Sequence, residues 1–392
     1  MKGQTCEPDE TPSLSARWRA AIYLGLISST FSTIVSQLSA ARIGRDAAVD
    51  WMSVAAIPAR DWALSLEPSA VAIGIGIAFH QWADFSWALF FFGVLGRWTA
   101  RLHPVTLAFV AVPWAVFTSA FEWSVLVPLF PFWQPIFTLQ QPYWIGFLVH
   151  LSSASIYPLY AWLGRSPEEK RSFKGRGFLR VWIAGAVAGV VTLGVLALFA
   201  VRDRELPWLG RDPETDQTFM RHMSTHHQQG IELASMAAEK AASPHLQSLA
   251  KLMGASQSGE KHILDDWWIS WFGVPMQICS AEERAVMPGL LDFAQIEQLR
   301  AAGPPDFDAL FVKLMTIHHA GAVKMAEDEL RGGNDPRLRV MAHAIRHEQQ
   351  GEIALMNCVK GENAVRIAVS NMFADNVNNT KLDPPWRVSC RP

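Results

Sequence analysis

The sequence repeats itself over its carboxy-terminal half. Asp216, Phe219, Met223, His226, His227, Ala234, Pro244, Leu246, Ala250, Gln257, Gly259 and Glu260 recur in the same order at a constant offset of 92 residues, as Asp308, Phe311, Met315, His318, His319, Ala326, Pro336, Leu338, Ala342, Gln349, Gly351 and Glu352. The register needs no gap, so the chain carries a duplicated unit. Each copy reads as a helix, a turn at Ser243-Pro244 or at 332–336, and a second helix with apolar or small residues at helical spacing. One hairpin cannot bury its own apolar face, whereas two packed together share a core, which predicts an all-α four-helix bundle over 205–361 from repeats 216–268 and 308–360. Between the copies, 272–305 is a crossover with a short helix expected from Ser280, and 362–392 reads as a polar tail.

The other half is a different material. Half of all residues are hydrophobic, only 18% are charged and 17 are Trp, which is too apolar for an ordinary soluble chain. Five stretches, 20–38, 71–95, 105–127, 143–163 and 178–201, have about the length a bilayer requires, and they predict a transmembrane domain over 20–201 behind a cytoplasmic tail, 1–19. The first of them also reads as a signal peptide with cleavage near Ser39-Ala40-Ala41. Basic residues alternate between the connections. Lys2, Arg17 and Arg19, then Arg97 and Arg101, then Arg165, Lys170, Arg171, Lys174, Arg176 and Arg180 fall on one side; only Arg42, Arg45 and Arg60 fall on the other. Positively charged loops stay cytoplasmic, so the amino terminus is expected inside, and everything after Val201 outside, a plasma membrane of bacterial type. His80, Asp84, Glu122 and His150 lie within the spans. Ionisable groups there are costly unless they face the bundle interior, so the four form a possible intramembrane polar site; interhelical hydrogen bonding is the competing explanation.

The repeated hairpins carry the chemistry. On the first helix of each copy, Phe219, Met223, His226, Gly230 and Leu233, or Phe311, Met315, His318, Ala322 and Met325, fall on one stripe, and the second helices set Glu260 and Glu352 on theirs. Buried imidazoles and carboxylates demand partners, and a cation supplies them. The candidate ligands are His226, His227, His318, His319, Met223, Met315, Met325, Glu260 and Glu352. Imidazole with thioether and carboxylate suits a borderline or soft ion, copper first, with iron or zinc also accommodated. A purely structural His–Glu network, with the methionines as packing, is the alternative. His222, His262, His343 and His347 lack a counterpart at the repeat offset and read as solvated or locally bonded, with His343 and His347 one turn apart as possible accessory surface ligands. The net charge of -2 gives nucleic acid no electrostatic footing. Cys6, Cys279, Cys358 and Cys390 include no C-x-x-C pair; the last three would lie on the oxidising side, where one disulfide with one thiol left over is expected.

The run His318-His319-Ala320-Gly321-Ala322-Val323-Lys324-Met325-Ala326 resembles the His-His-x-Gly-Ala-x-x-Met-Ala signature of domain-of-unknown-function family 305. The first copy, His226 to Ala234, is similar but has Leu233 in place of the Met and a displaced Gly. The likeness covers roughly 216–359 and implies a ferritin-like four-helix fold, an exported location and, in some members, copper or silver binding that supports metal tolerance. The expected protein is thus a membrane-anchored, extracytoplasmic metal binder acting in copper sequestration, delivery or tolerance, in contact with membrane lipid and with a second copy or a metal-accepting protein as possible partner. Two rivals stand beside it. A di-metal oxidoreductase would fit the bundle centre, although Gln257 and Gln349 occupy the positions where a Glu-x-x-His motif would begin. A metal transporter would use the membrane half, with His80, Asp84, Glu122 and His150 as its path.

Overall fold

A computed structural model describes residues 14–129, 136–304 and 306–373; within them the chain forms helices and no strand. The longer helices are α1 (Leu14–Ser39), α2 (Ala47–Ala59), α3 (Ala70–Leu89), α4 (Pro104–Phe121), α5 (Tyr143–Ala154), α6 (Arg176–Ala200), α7 (Glu214–Lys240), α8 (Pro244–Phe272), α9 (Asp306–Gly332), α10 (Pro336–Met356) and α11 (Gly361–Phe373). They divide into two compact units: residues 1–35, 80–118 and 147–191 form one, and 36–79, 119–146 and 192–392 form the other.

The first unit has its own core of Ala20, Leu24, Phe91, Phe92, Leu107, Tyr157 and Tyr160, with Phe92 stacked on Tyr160 at 3.9 Å. Pro113 sits inside α4, which continues through a π turn at Glu122–Leu126, and α3 likewise runs into a π turn at Phe90–Val94. Next to Pro158 the stretch expected at 143–163 is interrupted, α5 stopping at Ala154 before a 3-10 turn at Tyr157–Leu159. Three helical segments, Leu14–Ile43, Pro104–Leu129 and Arg176–Ala200, are long and apolar enough to cross a membrane. In α6 only Leu179 is buried, while Val181, Val187, Val191 and Leu198 are exposed. Its inner side still meets the first unit, where Phe178 and Ala186 pack on the core and the Trp182 indole N–H donates to the Ser155 carbonyl at 2.7 Å.

The second unit holds the duplicated hairpins. Acidic Glu214 and Asp216 open α7, Ser243 caps α8 ahead of Pro244, and Asp335 caps α10 ahead of Pro336, each favouring a helix start. α7 packs on α8, α9 on α10, and the two hairpins meet chiefly through α7 and α9. The duplication also builds a reciprocal clamp. Asp216 of the first copy accepts the backbone N–H groups of Asn334 and Asp335 at 2.6 and 2.9 Å, and Asp308 of the second accepts those of Ala242 and Ser243 at 2.8 and 2.9 Å. Each copy thus satisfies the orphan donors in the other's turn.

Two parts of this unit depart from expectation. The segment after Gly361 is not simply a polar tail: α11 places Ala364, Ala368 and Asn371 on one buried stripe, against α10 and the short helix Ile136–Gln140. Its helical spacing was masked by the polar residues around it. Segments from the amino-terminal half also pack on the hairpins. A Cβ on Gly259 would lie 2.6 Å from the Asp46 side chain, and one on Gly351 would strike the Leu139 carbonyl. These two glycines are equivalent in the repeat, and each admits a different segment. Cys358 is disulfide-bonded and Cys279 is a free, buried thiol; Cys6, Cys390 and the tail beyond 373 lie outside the described residues.

Candidate metal centre

α7 and α9 carry the histidine pairs, and their close packing brings the two copies together at one point. The His226 and His318 rings meet with centroids 3.7 Å apart, tilted 31° from one another. Beside them, His227 Nε2 lies 2.8 Å from Glu260 Oε2, and His319 Nε2 lies 2.7 Å from Glu352 Oε2. These are the same contact made twice, each spanning 33 residues. All four imidazoles are 0% exposed. Gly230 makes the approach possible, because a Cβ there would collide with the Gln257 amide and come within 2.8 Å of His318 Cε1.

Many polar atoms in this centre have no hydrogen-bond partner among the described residues: both ring nitrogens of His226, Nδ1 of His227, His318 and His319, one carboxylate oxygen each of Glu260 and Glu352, and the side-chain oxygens of Gln257 and Gln349. Buried donors and acceptors in such number are costly unless something ligates them. Burial, reinforced by the neighbouring histidines, pulls His226 and His319 well below the ordinary imidazole range; burial brings His318 down to about 3. Neutral imidazoles are ligands that need shed no proton. Burial, then the nearby Glu348 and Glu260, pushes Glu352 well above the usual carboxylate range, with Arg45 opposing. A cation would let the Glu352 carboxylate ionise and would give the orphaned nitrogens and oxygens a partner, so the residues present fit one.

The methionines are close in sequence but sit in apolar surroundings. Met223 and Met325 belong to one buried apolar cluster, with Trp267 and Ile345, and Met315 to another, with Leu252 and Phe311.

Sequence reasoning missed the layer behind Glu352. One turn before it, Glu348 accepts from Ser256, from Gln140 at 3.1 Å and from Arg45 at 2.7 Å. Arg45 also holds Asp50, at 2.6 Å. Arg45 had entered only as a loop charge, and Glu348 was hidden because its repeat counterpart is Ser256; a carboxylate one turn from another on a core-facing stripe was the available signal. His347 corrects the surface reading outright. It is 0% exposed, its ring 6.4 Å from Trp123 and both nitrogens unpartnered among the described residues. His343 is half-buried and meets the Trp144 indole N–H at 3.2 Å. Trp123 and Trp144 cover the face the sequence left open.

In the first unit, three of the four ionisable residues expected within spans converge. Asp84 lies between His80, at 3.5 Å, and His150, at 3.7 Å. Ser32 donates to Asp84 and stands 3.0 Å from His80, while Thr118 is 3.2 Å from His150. Glu122 belongs to the second unit, in the π turn after α4.

No curated protein matches the chain. Among solved structures it is similar to a DUF305 protein of Streptomyces coelicolor, with 24% identity over 36% of this chain and 88% of that one and a TM-score of 0.34. It is also similar to CopM in its Cu(I)-bound form, with 30% identity, 36% and 91% coverage and a TM-score of 0.32, and to CopM in its Cu(II)-bound form, with 29% identity, 36% and 92% coverage and a TM-score of 0.31. Residues 216–360, the stretch that contains the duplicated hairpins and their His–Glu centre, match the family model of the domain of unknown function DUF305.

Proposed function

We propose that this protein is a membrane-anchored, extracytoplasmic metal binder whose His–Glu centre takes up copper for sequestration, delivery or tolerance. One observation carries the reading: two His–Glu pairs, His227–Glu260 and His319–Glu352, flank the closely apposed His226 and His318 in a buried site rich in unpartnered nitrogens and oxygens. Imidazole nitrogen with carboxylate oxygen suits Cu(II), and the nearby thioethers Met223, Met315 and Met325 would favour Cu(I) if a ring movement brought them in; iron and zinc fit the same donors less selectively.

The partition of the chain supports the proposed sidedness. The unit that contains the hairpins also takes in 36–79 and 119–146, the two connections with few basic residues. The other unit holds the arginine-rich connections. Two of the three basic residues assigned outside are engaged within the hairpin unit, Arg42 with Glu205 at 2.8 Å and Arg45 with Asp50 and Glu348, so their presence there does not weaken the alternation.

The test is equilibrium dialysis of the full chain in detergent against Cu(I), Cu(II), Zn(II) and Fe(II). The expected result is tight copper uptake; uptake of none of the four would remove the proposal. A second reading, in which the membrane half passes the metal, is favoured by the convergence of His80, Asp84 and His150. Copper flux in proteoliposomes that is lost in Asp84→Asn would support transport, and flux equal to protein-free vesicles would leave the spans as an anchor.

A further inference from the structure

The centre between α7 and α9 does not use every ligand-type side chain in the second unit. One turn before His226, His222 points toward the crossover, where Cys279 and Glu283 lie. One ligand atom from each of His222, Cys279 and Glu283 falls within 4.8 Å of the others. We propose that these three residues form a second cation site, separate from the His–Glu centre, for a borderline or soft ion such as Zn(II) or Cu(I).

Local structure builds the site from both sides. Ser280 and Glu283 form a capping box around the short helix Ala281–Val286, which fixes the carboxylate relative to the thiol just before it. Arg221 grips both oxygens of Glu283, at 2.8 and 2.9 Å, and turns the carboxylate toward α7, where Oε1 stands 3.8 Å from His222 Nε2. Cys279 is held in place by Thr225, whose hydroxyl is 3.2 Å from Sγ.

The accessibility is graded as an entry site requires. Cys279 is 4% exposed, whereas the side chains of His222 and Glu283 are 20% and 32% exposed. A cation can therefore arrive from solvent onto the imidazole and carboxylate and be finished by the sulfur. Thiolate, imidazole and carboxylate together leave one position for water, and the sulfur excludes hard ions such as Mg(II) or Ca(II). Binding forms the S–metal bond as the Cys279 thiol gives its proton to bulk water; no electron moves, and affinity rises with pH. Arg221 competes for Glu283, so the site exchanges its ion more readily than one without that guanidinium.

Co(II) is the probe, because a thiolate bound to cobalt has a charge-transfer absorption that nitrogen and oxygen ligands lack. The full chain in detergent is expected to develop this band, and so is a His226, His227, His318 and His319 to Ala variant, which separates this site from the proposed copper centre. Cys279→Ser is expected to abolish the band and Glu283→Gln to weaken cobalt binding at least about tenfold. A band that persists in Cys279→Ser, or none in the unaltered protein, overturns the assignment. A second readout avoids any folding defect in the variants: Zn(II) should slow alkylation of Cys279 in the unaltered chain, measured on its peptide by mass spectrometry, and an unchanged rate would likewise reject the site.

Discussion

The two hairpins share their candidate ligands but not their surroundings. Copy one and copy two present the same His–His pair, the same Gln and the same Glu, and they make the same His–Glu contact to within 0.1 Å, at 2.8 and 2.7 Å. Around that common centre they diverge. Glu348 and His347 of the second copy replace Ser256 and Ala255 of the first, and Glu329 replaces Ala237. The divergent positions face what only the second copy meets: Arg45 and Gln140 against Glu348, Trp123 against His347, Asp216 beside Glu329. The two copies keep a common centre, and the divergent positions of the second meet Arg45, Gln140 and Trp123.

Four substitutions would sharpen that contrast. The largest effect is expected from Arg45→Met, which strands Glu348 as a buried charge and should cost about 3–5 kcal/mol in denaturant unfolding. Pairing it with Glu348→Leu should return the part of the loss that comes from Glu348; no recovery would mean that Arg45 works chiefly through Asp50. Asp308→Ala is expected to cost about 1–3 kcal/mol by leaving two turn N–H groups without acceptors. Asp216→Ala should cost at least as much, because Asp216 also receives the Trp208 indole N–H at 2.6 Å.

The smallest effect is a pH dependence confined to the second copy. Burial, then the charge of Asp216, pushes Glu329 up to about 8 from an ordinary value of 4.5. The unfolded chain releases that proton as pH passes 4.5 while the folded chain keeps it, so this contribution is complete below 4.5 and is lost as pH rises toward 8. Glu329→Gln should therefore raise stability by about 1 kcal/mol near pH 8 and leave it unchanged near pH 4. A gain of equal size at both would assign the effect to packing.

The duplicated hairpins and their pairing were legible because the repeat registers uncommon residues, His226 with His318 and Glu260 with Glu352, at helical positions. Met223 and Met315 were legible as buried, but spacing along a helix cannot say whether a sulfur packs or ligates. Arg45, Gln140 and Trp123 could not be assigned to the bundle from the sequence, because their contacts join residues 208, 224 and 303 positions apart (Gln140–Glu348, Trp123–His347 and Arg45–Glu348). Local periodicity contains no such information. The buried stripe of α11 was written in the sequence at Ala364, Ala368 and Asn371, but its small and polar residues carry too little hydrophobic contrast to declare a packed face.

The central claim is that the two copies create one cation site between them. It is tested most directly by the copper content of the full-length protein purified from its own membrane, beside a variant with His226, His227, His318 and His319 changed to Ala. The account predicts copper in the unaltered protein and its loss from the centre in the variant, with circular dichroism showing the helices intact. Equal copper in both, or none in either, would contradict it.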